Sequence, residues 1–347
     1  MKRTMMAAAI AMVMVVATSA SAAPTTGAKR SADPLKFGYD AVAQLNYGNT
    51  LLAWKLMRSP SVTPMFFQNG SLNQQALASG QVQLSQSAAT VALPAISRGA
   101  KLKIIGATVV DSWVLMVSSD IKTLADLKGK KVAAHSQTSV SALFAQRACK
   151  IADCTVVYIP GSPVRAQALL SGEVAGTTVF LADALQTDAT SPGKTRVLVY
   201  YRNVPLPDLY VVTTADWLQD HQAEAADVLY GMLKAARLMK TNPASAAKTL
   251  RSAFPDIDPK LLQSVIAAYV KRGNWSPDLG YESVRTVTKT VDFLKSTGAI
   301  SASAPRYAGA YVDIRPLKIA LARLAKEDKQ KAAKAAAKKK ANTSGKG

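Results

Sequence analysis

Five hydrogen-bonding side chains follow one another between an apolar run and a helical pattern. They are His135-Ser136-Gln137-Thr138-Ser139, placed where a predicted strand over 131–134 passes into a predicted helix over 140–150. Hydroxyls and the free N–H groups of a helix start donate hydrogen bonds to sulfonate, nitrate or carboxylate groups. We predict ligand contacts for Ser136, Gln137 and Thr138. His135 either joins them or serves a structural role, and the alternative for the hydroxyls is ordinary helix capping.

Comparable polar loops follow other predicted strands. In open parallel sheets, ligands bind beyond the carboxyl ends of the strands. This rule selects the loops over 40–46, 68–71, 85–87 and 161–164, the third of which follows a short predicted strand over 82–84. The further ligand contacts predicted from these loops are Gln44, Asn46, Asn69, Ser85, Gln86, Ser87 and Ser162.

Two larger side chains near these loops have competing interpretations. Trp113 either stacks on an organic ligand or packs inside the fold, and the sequence leaves both open. Arg165 lies in the first turn of its predicted helix. It either binds an anion or is an ordinary surface residue, and we favour the surface position.

Patterns typical of enzymes and metal sites are missing from the sequence. There is no Gly-x-Ser-x-Gly, no His-Glu-x-x-His and no dinucleotide-binding fingerprint. Gly193-Lys194-Thr195 resembles the end of a phosphate-binding loop, but Asp188 occupies the position of the required glycine. The two His and two Cys do not have zinc-site spacing. We therefore predict no catalytic residues, no metal and no cofactor.

Strand-like and helical segments alternate up to about residue 214, and the remainder is helical. This order predicts an α/β fold with mainly parallel sheets flanked by helices. Two similar phrases, Ala-Leu-Ala-Ser-Gly-Gln-Val over 76–82 and Ala-Leu-Leu-Ser-Gly-Glu-Val over 168–174, each belong to a strand–loop–helix–glycine–strand unit. Their glycines suit the left-handed backbone that ends a helix. Two such units predict two similar lobes.

The first 22 residues have the pattern of a signal peptide. Lys2 and Arg3 precede an apolar run over 5–17, and Ala20-Ser21-Ala22 suits a signal peptidase. The alternative is an uncleaved anchor, although the apolar run is short for a membrane span. The pattern predicts a periplasmic protein that is soluble after cleavage at 1–22.

Net charge is concentrated at the other end of the chain. The formal net charge is +21, and residues 326–347 contain eight Lys against Glu327 and Asp328. Lys/Ala repeats without an apolar stripe predict a basic, disordered tail. Such a tail could contact an anionic polymer or membrane, or remain solvated, which we favour. Export argues against a nucleic-acid partner.

The two cysteines are close together in the sequence. Cys149 and Cys154 are separated by four residues, and an oxidising compartment permits a disulfide between them. The sequence leaves open whether they are bonded.

Four phrases in order carry a family resemblance. They are the two glycine phrases, Ser-Arg-Gly-Ala over 97–100, and Leu-Ala-Asp-Leu-Lys-Gly-Lys-Lys-Val over 124–132. Over 35–324 the chain resembles the periplasmic solute-binding proteins of ABC importers, in the group that binds nitrate, sulfonates, taurine and the thiamine pyrimidine precursor. Gln83 and Ala175 depart from the pattern, since the family usually has Asp there.

The resemblance implies the type II periplasmic-binding-protein fold, with two lobes that close on a ligand. Lobe 1 would comprise 35–112 and 214–324, and lobe 2 would comprise 119–205. The segments 113–118 and 206–213 would be the hinge crossings between them.

The resulting hypothesis is a monomeric solute-binding protein that delivers a small anion to an inner-membrane ABC permease. A sulfonate, taurine, nitrate or an organic carboxylate would fit. The alternatives are a protein of the same superfamily that binds or synthesises the pyrimidine precursor, and an envelope protein that binds anionic polymer through its tail. Export disfavours the synthetic enzyme, which works inside the cell.

Overall fold

The computed structural model describes residues 33–137, 139–202 and 204–344, with side chains up to 337. The predicted signal peptide (1–22) and the predicted ligand contact of Thr138 lie outside the described residues.

Strands and helices alternate through the first two thirds of the described chain. The strands are β1 (Leu35–Tyr39), β2 (Val62–Phe66), β3 (Leu84–Ala88), β4 (Leu102–Val109), β5 (Trp113–Ser118), β6 (Lys131–Ala134), β7 (Thr155–Tyr158), β8 (Gly176–Phe180), β9 (Thr195–Tyr200) and β10 (Leu209–Thr214). The helices are α1 (Gly48–Leu56), α2 (Gly70–Ala78), α3 (Ala89–Ser97), α4 (Val140–Ala152), α5 (Ser162–Leu170), α6 (Leu181–Thr190), α7 (Ala215–Asp220), α8 (Gln222–Thr241), α9 (Pro243–Leu250), α10 (Pro259–Arg272), α11 (Tyr281–Arg285), α12 (Val287–Ser296) and α13 (Arg315–Ser344).

The strands form two five-stranded sheets. Their orders are β2-β1-β3-β10-β4 and β7-β6-β8-β5-β9. β1 pairs in parallel with β2 and β3, and β6 pairs in parallel with β7 and β8. β10 and β5 are antiparallel to both of their neighbours. We call the parts of the molecule built around these sheets lobe 1 and lobe 2. The predicted α/β fold with two mainly parallel sheets is confirmed.

The chain passes between the sheets at different segments from those that the sequence predicted. The segment 113–118 is β5, an interior strand of lobe 2, and most of 206–213 is β10, an interior strand of lobe 1. The connecting segments are 110–112 and 201–208. The predicted crossings are therefore wrong, because their apolar residues are buried in the sheets and pair with neighbours on both sides.

The two glycine phrases form equivalent turns. Gly80 and Gly172 have φ angles of 76° and 80°, as the sequence predicted. In each phrase the Val N–H donates to the carbonyl of the first Ala, at 3.2 Å in lobe 1 and 3.3 Å in lobe 2. A side chain at either glycine would strain the backbone, so both phrases are structural.

Helices after β10 complete lobe 1. α8 packs between α1 and α13, with Leu229 and Met232 fully buried. Apolar residues at helical spacing explain this central position. Among the described residues, no helix combines the length and apolar character needed to cross a membrane.

The Lys-rich end departs from the predicted disordered tail. α13 continues to Ser344, because Ala and Lys favour helix and its first half is fixed to the body. Leu324 is buried, and Arg237 donates to Asp328 Oδ2 at 2.7 Å. The prediction of disorder over 326–347 is therefore wrong as far as Ser344, although the described side chains beyond Asp328 are exposed.

Cys149 and Cys154 form a disulfide that closes the turn between α4 and β7. The bond lies at the C-terminal end of α4, whose first residue is Val140.

Candidate functional site

A cleft of about 760 Å³ lies between the two lobes. It is bordered by the loops that follow β1 and β2 in lobe 1 and β6 and β7 in lobe 2, so the carboxyl ends of parallel strands from both sheets meet there. The starts of α2, α4 and α5 also face this space. This is the place that the strand rule predicts for a ligand.

Half of the predicted contact residues line the cleft. They are Gln44, Asn69, Trp113, His135, Ser136 and Ser162.

The predicted contacts in β3 lie in the interior instead. The strand continues through Ser85, Gln86 and Ser87, where a loop was expected, and all three residues are fully buried. Gln86 Nε2 donates to Thr108 Oγ1 at 2.6 Å. These residues therefore belong to the core of lobe 1, because pairing with β10 extends the strand.

Two further predicted residues are also outside the cleft lining. Asn46 is fully buried in a short 3₁₀ helix, and its backbone carbonyl accepts from Trp275 Nε1 at 3.0 Å. Gln137 is exposed at the turn before α4. The apolar neighbours of Asn46 are visible in the sequence, but the sequence does not show on which side of the chain the Asn46 side chain lies.

His135 connects two loops of lobe 2. Its Nδ1 accepts the N–H of Gly161 at 3.1 Å. Burial, and secondarily the charge of Arg165, lowers the pKa of His135. The ring therefore has a structural role as a neutral acceptor while it lines the cleft.

Arg165 is a buried cleft residue. Only 2% of its surface is exposed, so the favoured prediction of a surface position is wrong. Its Nη1 donates to the Ile159 carbonyl at 3.2 Å, and Nη2 donates to Ser162 Oγ at 3.0 Å. Nε has no partner among the described residues. Burial lowers the pKa of Arg165 to about 10, and Asp183 opposes this shift, so the guanidinium stays charged at neutral pH.

The start of α5 adds donors beside Arg165. The helices α2 and α4 have side-chain caps: Asn69 Oδ1 accepts from Leu72 N–H at 3.0 Å, and Ser139 Oγ accepts from Ala142 N–H at 3.2 Å. α5 follows Gly161 and has no side-chain cap. Its first N–H groups and the guanidinium together provide positive potential at one end of the cleft.

Trp113 packs inside the fold and also lines the cleft, so stacking on a ligand stays a prediction. Its ring packs against Phe180 with a centroid distance of 4.1 Å and an angle of 32°. It is 7% exposed and lines the cleft, and its indole N–H has no partner among the described residues. A packed aromatic ring thus presents an unused donor.

Two carboxylates in the cleft were missed by the sequence analysis. Asp40 Oδ1 accepts from the Tyr47 hydroxyl at 2.7 Å. Asp208 Oδ2 accepts from the N–H and the hydroxyl of Ser112 at 2.8 and 2.6 Å. Burial raises both pKa values, that of Asp208 to about 7. The Ser112–Asp208 bonds also join the two connecting segments.

The two sheets and the cleft between the lobes have the arrangement of the two-lobed periplasmic-binding-protein fold. Residues 62–246 match the family model described as NMT1/THI5 like, and the chain belongs to this family. No curated protein sequence matches the chain.

Several solved structures share the fold. The periplasmic aliphatic sulphonate binding protein SsuA from Escherichia coli is 20% identical, with a TM-score of 0.61 over 80% of this chain and 96% of that one. The alkanesulfonate-binding protein SsuA from Xanthomonas axonopodis pv. citri, bound to MOPS, is 20% identical, with a TM-score of 0.64 over 81% and 99%. The nitrate-binding protein NrtA from Synechocystis PCC 6803 is 14% identical, with a TM-score of 0.63 over 84% and 89%.

These similarities agree with the group that the sequence resembled. These three neighbours are described as binding proteins.

Proposed function

We propose that the protein is the solute-binding component of an ABC importer and captures a small anion between its lobes. The observation that carries this proposal is Arg165, a buried guanidinium with an unpartnered Nε, beside the uncapped start of α5. Such a group is costly to bury unless a ligand completes its hydrogen bonds. An anion with several acceptor oxygens meets this requirement.

The ligand contacts that we propose come from both lobes. Lobe 2 provides Arg165, Ser162 and the cleft face of Ser136, while Gln44 belongs to lobe 1 and Trp113 lies where the chain enters β5. A ligand that contacts both lobes binds the closed arrangement more tightly than the open one, and this difference in affinity drives closure.

The sequence pattern of the first residues and the solved relatives support the cellular setting that we propose for this function. The sequence pattern over 1–22 favours export, and the solved relatives are described as periplasmic. We propose that the mature protein is a periplasmic monomer and that its partner is an inner-membrane permease with an ATPase.

A solute screen tests the proposal. Purified protein is screened by thermal shift against sulfonates, taurine, nitrate, organic carboxylates and aminopyrimidines, and binders are measured by calorimetry. We expect at least one anionic binder, whose affinity is lost in Arg165→Gln and kept in Arg196→Gln, a change at an exposed Arg of the same lobe. Well-folded protein that binds nothing across a broad library would contradict the proposal.

A further inference from the structure

The charged side chains of the cleft are separated by lobe. Arg165 lies on the lobe 2 side, in α5, whereas Asp40 follows β1 and Asp208 precedes β10 on the lobe 1 side. Arg165 already interacts with Asp183 of lobe 2. His135 adds little positive charge, because burial disfavours its protonated form.

The two lobe 1 carboxylates have no basic partner among the described residues. Their donors are hydroxyls and backbone N–H groups: the Tyr47 hydroxyl and the Ala88 N–H for Asp40, and the hydroxyl and N–H of Ser112 for Asp208. Asp208 is buried and Asp40 is half-buried. Carboxylates removed from water without a cation are costly, and the raised pKa values of both groups express that cost. In their ionised forms, both groups would repel a ligand that carried only negative charge.

Two unsatisfied donors belong to side chains that line the same cleft. The Trp113 indole N–H and Arg165 Nε are unpartnered, on side chains that are 7% and 2% exposed. Donors of this kind attract acceptor oxygens, whereas carboxylates attract a cation. The cleft therefore offers two complementary sets of groups to one molecule.

We propose that the ligand is a zwitterion, with its sulfonate or carboxylate group bound by Arg165 and the start of α5 and its ammonium or other cationic nitrogen bound by Asp40 and Asp208. This inference rests on the proposed function and narrows it, since it disfavours nitrate and simple sulfonates. Because the two charges of the ligand are bound by opposite lobes, neither lobe alone satisfies it, and the closed state gains most from binding.

Matched ligand pairs test the inference by calorimetry at neutral pH. Taurine is compared with isethionate, which has a hydroxyl in place of the ammonium group, and longer ω-amino alkanesulfonates are compared with ω-hydroxy alkanesulfonates of equal length. Amino and hydroxy carboxylates of equal length are compared in the same way. We expect one amino compound to bind at least about tenfold more tightly than its hydroxy partner, as a charge-assisted hydrogen bond permits.

Substitutions in lobe 1 assign the preference to the carboxylates. Asp40→Asn and Asp208→Asn should each reduce the ratio of the two affinities towards one, whereas Asp256→Asn, at an exposed position, should leave it unchanged. Circular dichroism and thermal unfolding verify folding, and the two variants are independent, so a folding defect in one leaves the other informative.

The outcomes separate this inference from the proposed function. Hydroxy or alkyl compounds that bind as tightly as amino compounds overturn the zwitterion and leave the solute-binding role intact. Binding of nitrate without binding of any compound from the matched pairs also overturns the zwitterion and leaves the solute-binding role intact. A preference for amino compounds that survives both substitutions also overturns it, and binding of no solute overturns both proposals.

Discussion

Arg165 and Asp183 place opposite charges on the neighbouring helices α5 and α6, beside the cleft. Burial raises the pKa of Asp183 to about 6, and a hydrogen bond from Ser162 and the charge of Arg165 oppose this shift. Asp183 in turn stabilises the charge on a side chain that is almost completely buried. Removing either group should therefore change stability. Of these two groups, only Arg165 should contribute directly to the affinity for the solute.

Arg165→Gln should weaken solute binding by about thirtyfold or more, since loss of one member of a desolvated charged contact costs about 2–5 kcal/mol. It should also lower the free energy of unfolding, because Asp183 loses its counter-charge. The double variant Arg165→Gln/Asp183→Asn should recover stability without recovering affinity. Calorimetry and urea unfolding measure the two effects, and an affinity within threefold of wild type in Arg165→Gln would refute this role.

Asp208 should make stability depend on pH in a definite direction. Its pKa of about 7 in the folded protein exceeds the value of about 3.9 for an unfolded chain. The folded state therefore binds more protons between these values, and the free energy of unfolding falls as pH rises through them. Asp208→Asn removes this loss and keeps an acceptor for Ser112.

Relative to wild type, the Asp208→Asn variant should become more stable as pH rises from about 4 to about 8. The gain should be at most on the order of 4 kcal/mol. Urea unfolding at several pH values without ligand measures it, with Asp256→Asn as the exposed control. Parallel pH profiles for Asp208→Asn and wild type would show that Asp208 does not titrate as described.

At the residue scale, the sequence identified loops better than side chains. Strand-to-helix turns are visible as polar residues after apolar runs, which is why Gln44, His135 and Ser162 were found. Arg165 was named but expected at the surface, and Asp208 was missed, because a charged residue is normally exposed and only folding encloses these two. The strand through Ser85 shows the opposite error, since polar side chains there suggested a loop.

Elements with strong apolar periodicity were predicted closely. β6 has the bounds of the strand predicted over 131–134, and β5 has those of the segment 113–118, because each is a short apolar run bounded by polar residues or glycine. Pairing is a property of the whole fold, so the place of β5 and β10 inside the sheets, rather than between the lobes, could not be read from those runs.

The two halves of α13 should have different roles. Its first half buries Leu317, Ala320 and Leu324, so a chain ending at Ile314 should lose about 3–6 kcal/mol of unfolding free energy from the two leucines alone. A chain ending at Asp328 keeps this contact and should match the full-length protein in solute affinity and stability.

Thermal unfolding and calorimetry of both truncated proteins test this division. Weaker solute binding in the chain ending at Asp328 would instead favour the alternative that the Lys-rich end takes part in ligand capture.

At the scale of the whole molecule, the connecting segments 110–112 and 201–208 determine how the lobes can move. Ser112 and Asp208 bond these segments to each other, and Asn274 Nδ2 donates to the carbonyls of Val110 and Asp111 at 3.0 and 2.8 Å. These bonds fix the two segments together at one edge of the cleft, so we propose that the lobes rotate about this edge.

Saturating solute should therefore make the protein more compact. Small-angle X-ray scattering should record a smaller radius of gyration with ligand than without it, and Arg165→Gln should show no change at the same solute concentration. Identical scattering for free and saturated wild-type protein would contradict closure, because a ligand held by both lobes must favour the state in which both contact it.

The most direct test of the account is a crystal structure of the protein with a solute identified by the screen. The account predicts a closed cleft, with an anionic oxygen of the solute about 2.7–2.9 Å from a guanidinium nitrogen of Arg165. A solute bound outside the cleft, or inside it without contact to Arg165, would contradict the central claim.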